Sequence, residues 1–277
     1  MKNLPKSFPK KPRPFWFPNL SSNSHRAVGN TTTRNIFERY FRSWVPTLLP
    51  TQPRSNCKIC SLNLRATTPL PRENNLSNPI ELVAFDLGNV LCSVDEHPVA
   101  NELATRSGHL VEEVFETIFG RARKALFESG QITFSEHAER AIGVLGLDMS
   151  ISDFTDLYNS VLIPSGEMFP LVERIAERHR IALVSNTSEP HWKAAEKFLP
   201  FSSKLDPVII SCDVNAMKPD PAFYDALLQS SQVPAANILF VDDLAANIET
   251  ARNMGIGGHQ FTSQGDLEET LIDLGII

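Results

Sequence analysis

Short runs of apolar residues, continuous rather than alternating, punctuate the chain after residue 78: Glu81–Asp86, Arg180–Ser185, Pro207–Cys212, Asn237–Asp242 and, more weakly, Gly257–Phe261. A strand covered on one face alternates apolar with polar positions. A continuous run marks a strand covered on both faces, as in a parallel sheet between two layers of helices. Between the runs, apolar residues recur at helical spacing over Gly166–Arg178, Glu189–Phe198, Pro221–Ser230 and Leu244–Met254. This alternation predicts an α/β fold with a doubly wound, Rossmann-like parallel sheet.

The interval from about Ser93 to Pro164 is too long for a single crossover. Its pattern is helical over Val99–Arg106, Val111–Glu128, Ile132–Val144 and Ile151–Val161, with Gly108, Gly130 and Gly146 in the joints. The pattern predicts a small helical cap at about 93–164, inserted after the first strand of a core made of residues 79–92 and 165–277.

Charge divides the chain where the pattern does. The net charge is −6, yet residues 1–78 carry thirteen Lys and Arg against two acids, Glu38 and Glu73, and ten of the twenty prolines. The remainder, 79–277, carries thirteen against thirty. A domain boundary near Ser77 follows, with a basic, proline-rich extension that buries too little apolar surface to offset chain entropy and is expected to be disordered. Within it, Ile36, Phe37, Tyr40, Phe41, Trp44 and Val45 share one helical face, with Arg39 and Arg42 off it. That stripe suits an organelle-targeting element, and equally a membrane-surface or partner-binding helix. An over-extended reading frame is a further reading; the next methionine after Met1 is Met149. Without such targeting the expected location is the cytoplasm.

The acidic part would repel a phosphate backbone, which argues against nucleic acid as its partner and for a small molecule. No apolar run is long enough to cross a bilayer, and nothing in the sequence sets the oligomeric state. Cys57-Lys58-Ile59-Cys60 has half the spacing of a zinc site but no second pair completes it. Cys92 and Cys212, beside strand ends, read as small buried side chains in a reducing compartment.

Three of the strands end in polar groups: Asp86, then Ser185-Asn186-Thr187, then Asp242-Asp243. In an open parallel sheet these ends form the ligand crevice, so chain-distant segments deliver carboxylates and hydroxyl or amide donors to one place. Lys218, before Pro219 and a helix, adds a cation to the same rim. Each piece alone reads as helix capping or a solvated turn. Together, clustered carboxylates need a metal or a cation to coexist, and hard oxygen ligands with a lysine fit Mg²⁺ and a phosphoryl group.

The stretches LVAFDLGNVL, LVSNTS, MKPDPAFYDALL and FVDDLAANIETARNMGI, in that order over Leu82–Ile256, resemble the haloacid dehalogenase superfamily, in its subclass with an early helical cap. The opening FDLGNV is similar to that of the bacterial α-D-glucose-1-phosphate phosphatase group. The last two stretches are similar to the phosphatase domain of soluble epoxide hydrolases. The resemblance implies a Mg²⁺-dependent phosphatase acting on a sugar phosphate or related metabolite phosphate. It makes Asp86 the nucleophile that becomes an aspartyl phosphate. It places Mg²⁺ on Asp86, the backbone carbonyl of Gly88 and Asp243, with Asp242 as ligand or immediately behind. Ser185 and Asn186 would hold phosphate oxygens through hydroxyl and backbone N–H groups, and Lys218 would neutralise the transferring phosphoryl and position Asp86.

One position departs from the family pattern. Most of its phosphatases carry a second Asp two residues after the nucleophile as general acid and base, and here that residue is Gly88. The backbone carbonyl survives; the proton transfer does not. Asp95, Glu96 and His97 are the nearest replacements in sequence, although helix-start chemistry before Pro98 explains them as well. Gly88 also keeps two other functions in view. A metal-independent dehalogenase lacks the same Asp, but SNT, Asp242-Asp243 and FDLGNV argue against it. A catalytically weak regulatory or binding protein is opposed by the retained nucleophile, lysine and metal acids.

Overall fold

The computed structural model describes residues 79–277. The extension expected over 1–78, with its zinc, targeting and partner-binding readings, lies outside the described residues.

The strands are β1 (Leu82–Phe85), β2 (Cys92–Val94), β3 (Leu162–Pro164), β4 (Arg180–Ser185), β5 (Leu205–Ile210), β6 (Ile238–Asp242) and β7 (Gly257–Gln260). Five of them form one sheet in the order β5-β4-β1-β6-β7, every pairing parallel. The continuous apolar runs have a direct cause. Val83 and Phe85 point into one core with Leu171, Val172 and Leu267, while Leu82 and Ala84 point into a second core with Phe223, Tyr224 and Leu227. Helices thus cover both faces, as the Rossmann-like reading expects. Each fully buried Leu or Phe contributes roughly 1.5–3 kcal/mol of transfer free energy.

Strand order positions the site. β1 runs between β4 and β6, with Phe85 level with Leu183 on one side and Val241 on the other. The chain leaves β1 toward β4 and β5, then returns past it to β6 and β7. That reversal opens a crevice at the carboxyl ends of the three central strands.

Five helices follow β1: His97–Ser107, Val111–Ile118, Arg121–Glu128, Phe134–Leu145 and Ile151–Asn159. They bury an apolar cluster of their own, including Leu103, Val114, Phe127, Ala138, Phe154 and Tyr158. Thr133 and Ser150 cap the last two, each accepting the N–H of the residue three positions on and being answered by Glu136 or Asp153. The chain enters and leaves this layer through β2 and β3, which pair antiparallel, Cys92 opposite Pro164 and Val94 opposite Leu162.

Four details differ from the sequence reading. The helix expected over Val111–Glu128 breaks at Phe119-Gly120, where a Cβ on Gly120 would lie 2.4 Å from the Glu116 carbonyl oxygen. The strand expected over Pro207–Cys212 is displaced to Leu205–Ile210, because Ser211 turns inward to exchange hydrogen bonds with the Thr187 backbone and Ser211–Val214 coils into a helical turn. Pro207 is accommodated since β5 is an edge strand. β2 and β3, at three residues each, are too short to carry a period. The closing helix Gln264–Asp273 escaped the reading, although Leu267 and Leu271 lie one turn apart on its buried face.

Candidate active site

Asp86, the first residue beyond β1, is 8% exposed, and its Oδ1 accepts the Leu87 N–H at 2.7 Å. Burial pushes its carboxyl up to about 6; the Lys218 ammonium opposes that rise, the Asp242 charge adds to it, and the Ser185 hydroxyl relieves part of it.

Lys218 reaches Asp86 from a loop 132 positions downstream of it in sequence. Its ammonium Nζ lies 3.0 Å from Asp86 Oδ1 and donates to Asp242 Oδ2 at 2.7 Å and to the Val184 carbonyl at 2.9 Å. The ammonium is thus enclosed by three acceptors, two of them hydrogen-bonded and Asp86 as an ion pair. The loop is held by Asn186, whose side-chain oxygen accepts the Lys218 N–H at 2.8 Å while its amide donates to the Lys218 carbonyl at 2.9 Å. The Asn186 side chain is therefore committed to Lys218, and a ligand would meet this residue only through its backbone. Ser185 ends β4 and is buried beside Asp86.

The two carboxylates after β6 differ. Asp242 is fully buried and saturated: Oδ1 accepts from the Leu244 N–H and the Asn247 amide, and Oδ2 accepts from Lys218 and the same amide. Asp243 is half-buried, and its Oδ2 accepts from the Asn89 side chain at 3.0 Å. Asp86, Asp242 and Asp243 can each present an oxygen with all three inside 4.8 Å of one another. That spacing suits one hard cation with ligands at about 2.1 Å. Asp86 and Asp243 fit as ligands; Asp242, with four hydrogen bonds from three donors already, fits as the group behind them. Gly88 is half-buried on the loop between β1 and β2, and a Cβ there would meet Val94 Cγ2 at 3.8 Å, an ordinary contact.

Of the three residues nearest Gly88 in sequence that carry protons, Asp95 accepts the His97 N–H at 3.2 Å, which is helix-start chemistry, and the His97 ring stacks on Phe115. Glu96 is bound by Lys124 Nζ at 2.8 Å. Beside Lys218 opens a cavity of about 680 Å³ between the helical layer and the sheet, lined among others by Phe115, Phe119, Lys124, Glu128 and Met217. Asn89 and Asn247, which hold the carboxylates, and Glu128, which lines the cavity, are residues that the sequence reading did not pick out. Asn247 sits five residues past Asp242, in the first turn of the helix Ala245–Asn253 that follows the motif, and a search for nearby amides would have found it.

Among the described residues, no helix is long and apolar enough to cross a membrane. Cys92 is buried and Cys212 half-buried, and neither forms a disulfide.

The chloroplast flavin mononucleotide hydrolase 1 of Arabidopsis thaliana is 29% identical over 151 residues, which is 54% of this chain and 61% of that protein. The chain therefore spans about three-fifths of that relative's length. D-ribitol-5-phosphate phosphatase of Bacteroides thetaiotaomicron is 21% identical over 207 residues, 69% of this chain and 97% of that protein. Among solved structures, the family enzyme BT-2542 of Bacteroides thetaiotaomicron superposes with a TM-score of 0.61 at 22% identity, covering 70% of this chain and 99% of that one. Its complex with magnesium and inorganic phosphate superposes with a TM-score of 0.58 at 24% identity, covering 67% and 96%. These likenesses show the shared fold. The model of the haloacid dehalogenase-like hydrolases matches residues 80–255, well over half of the sequence, and the chain belongs to that family.

Proposed function

We propose that the chain is a Mg²⁺-dependent phosphatase that hydrolyses a small phosphate monoester, a sugar phosphate or related metabolite phosphate, through an aspartyl phosphate on Asp86. The observation that carries this reading is the Lys218 ammonium held between Asp86 and Asp242 at 3.0 and 2.7 Å. A lysine buried between two carboxylates at a strand-end crevice is placed to meet an anion that approaches Asp86. Two relatives bear the names of phosphate-ester hydrolases, and BT-2542 is known with magnesium and phosphate bound.

In this reading Asp86 attacks phosphorus while Lys218 draws charge from the phosphoryl oxygens and keeps Asp86 turned toward the crevice. The Ser185 hydroxyl and the backbone N–H of Asn186 receive the remaining oxygens. Magnesium, held by Asp86, the Gly88 carbonyl and Asp243, would offset the repulsion between an anionic nucleophile and an anionic substrate. Asp242 fixes Lys218 from behind.

Residues 1–78 are proposed as an extension separate from this hydrolase unit. The name of the Arabidopsis relative favours the organelle-targeting reading of that extension over a cytoplasmic enzyme. Uptake of the full chain by isolated organelles, with cleavage of the extension, is its test.

Phosphate release from a panel of sugar, nucleotide and amino-acid phosphates, with Mg²⁺ and with EDTA, tests the function. Release that depends on Mg²⁺ and disappears in Asp86→Asn supports it. Halide release from 2-haloacids in EDTA would favour the dehalogenase reading that Gly88 keeps in view.

A further inference from the structure

The proposed reaction has an unmet need. An alkoxide leaves phosphorus poorly without a proton, and Gly88 has none to give. The cavity beside Lys218 contains a carboxyl group that does. Glu128 ends the helix Arg121–Glu128 and lines the same space as Lys218, whose ammonium touches Asp86.

Glu128 is 8% exposed, and among the described residues no hydrogen bond is made to its carboxylate. The cation on its own helix is Lys124, 3.9 Å away, but that ammonium is turned toward Glu96 at 2.8 Å. Lys124 is therefore shared between the two carboxylates, with its hydrogen bond on Glu96 and only its charge on Glu128. The end of the helix is seated firmly. Just beyond it, Gly130 has φ +73°, and a Cβ there would lie 2.5 Å from Asn215 Oδ1 and 2.7 Å from the Cys212 carbonyl. Only glycine permits the helical layer to approach the core so closely at this point. On the other side, Phe127 anchors the helix against Phe134, His137 and Tyr158.

The charges around Glu128 favour a proton. Burial pushes its carboxyl up to about 7, Lys124 opposes, and the negative charges of Glu96 and Asp86 add to the rise. Tyr158 faces it from the helix Ile151–Asn159 and feels its charge, and Glu116, Arg121, Lys218 and Asp220 border the shared cavity. A carboxyl that titrates near neutrality can give a proton and take one back in the same cycle.

We propose that Glu128 is the general acid and base of the reaction, supplied by the helical layer in place of the residue missing at Gly88. The assignment rests on the phosphatase reading above. In the first half, Asp86 forms a bond to phosphorus and the P–O ester bond breaks. Its electron pair goes to the ester oxygen, which takes the Glu128 proton and leaves as an alcohol. In the second half, the Glu128 carboxylate takes a proton from water as the water oxygen attacks phosphorus. The P–O bond to Asp86 breaks, returning the Asp86 carboxylate, inorganic phosphate and protonated Glu128. The substrates that need this device are esters of poorly acidic alcohols.

The test compares the full chain with Glu128→Gln and Glu128→Asp in Mg²⁺, on an alkyl phosphate such as a sugar phosphate and on p-nitrophenyl phosphate. Glu128→Gln should lose about 10²–10⁴-fold in kcat on the alkyl ester. With p-nitrophenyl phosphate, whose phenolate leaves without a proton, the variant should still release close to one equivalent in a fast first turnover and then stall. The decline of kcat/KM on the alkyl ester as pH rises through about 7 should vanish in Glu128→Gln. Glu128→Asp, which keeps the carboxyl, should recover part of the loss and the pH limb. Equal slowing of the first turnover on both esters, or an unchanged rate on the alkyl ester, overturns the assignment. If the unaltered chain releases no phosphate from either ester, the phosphatase reading falls and this role falls with it.

Discussion

The Asn247 side-chain amide donates to both carboxylate oxygens of Asp242, at 2.9 and 3.0 Å, and so fixes the orientation of an acid with no exposed surface. Lys218 then meets a carboxylate whose plane is already set. Removing the amide in Asn247→Ala should leave a buried charge short of donors and cost about 1–3 kcal/mol of stability. Denaturant unfolding at neutral pH measures it; an unchanged midpoint would show that Leu244 N–H and Lys218 suffice.

Asn89 stands in the same relation to Asp243. It occupies the left-handed region at φ +56°, and its side chain donates across 154 residues of sequence. Asn89→Gly keeps that backbone conformation and removes the amide. The concentration of Mg²⁺ giving half-maximal activity should rise about 10- to 100-fold, as when a group behind a metal ligand is lost. Asp243→Asn should raise it further. An unaltered Mg²⁺ requirement in both variants would remove Asp243 from the ligand set.

Glu128 should also be visible in stability. Its folded carboxyl titrates at about 7 against an ordinary 4.5, so the group contributes most below pH 4.5 and progressively less as pH rises to 7. Glu128→Gln carries no such charge. In EDTA, the stability of the variant relative to the unaltered chain should therefore improve by on the order of 2–3 kcal/mol between pH 4.5 and 7. Parallel pH profiles for the two proteins would contradict the burial argument.

The core and half the site were legible because their cause is local. Alternate residues of β1 enter two different cores, so its sequence is apolar at every position and ends abruptly at Asp86. The same break marks Ser185 and Asp242. Glu128 carries no such mark. It is one acid at the end of an amphipathic helix, and it lines the cavity beside Lys218 where Gly130 lets that helix end approach Asn215. The pairing of Asn89 with Asp243 and of Asn186 with Lys218 is equally a product of tertiary approach. Ser211 ends β5 short of its apolar run for a reason that lies in a neighbouring loop, its exchange of hydrogen bonds with Thr187.

Gly88 and Glu128 can be set against each other. A Cβ at Gly88 meets only an ordinary contact with Val94, so Gly88→Asp should fold. Its gain on an alkyl phosphate should be far smaller in the unaltered background, where Glu128 already supplies the proton, than in Glu128→Gln. In Glu128→Gln it should restore activity at least tenfold, within the range of general acid catalysis. A large gain in the unaltered background instead would mean that no other group serves as the acid.

Every step of the proposed reaction depends on a bond from the Asp86 carboxylate to phosphorus. Rapid acid quench of the enzyme turning over ³²P-labelled substrate in Mg²⁺, followed by peptide mapping, reads that bond directly. The prediction is acid-stable, hydroxylamine-labile label on the peptide that contains Asp86, absent in Asp86→Asn and approaching one equivalent in Glu128→Gln with p-nitrophenyl phosphate, where formation needs no proton and breakdown is slowed. Label on another residue, or phosphate release from Asp86→Asn at the rate of the unaltered chain, would contradict it.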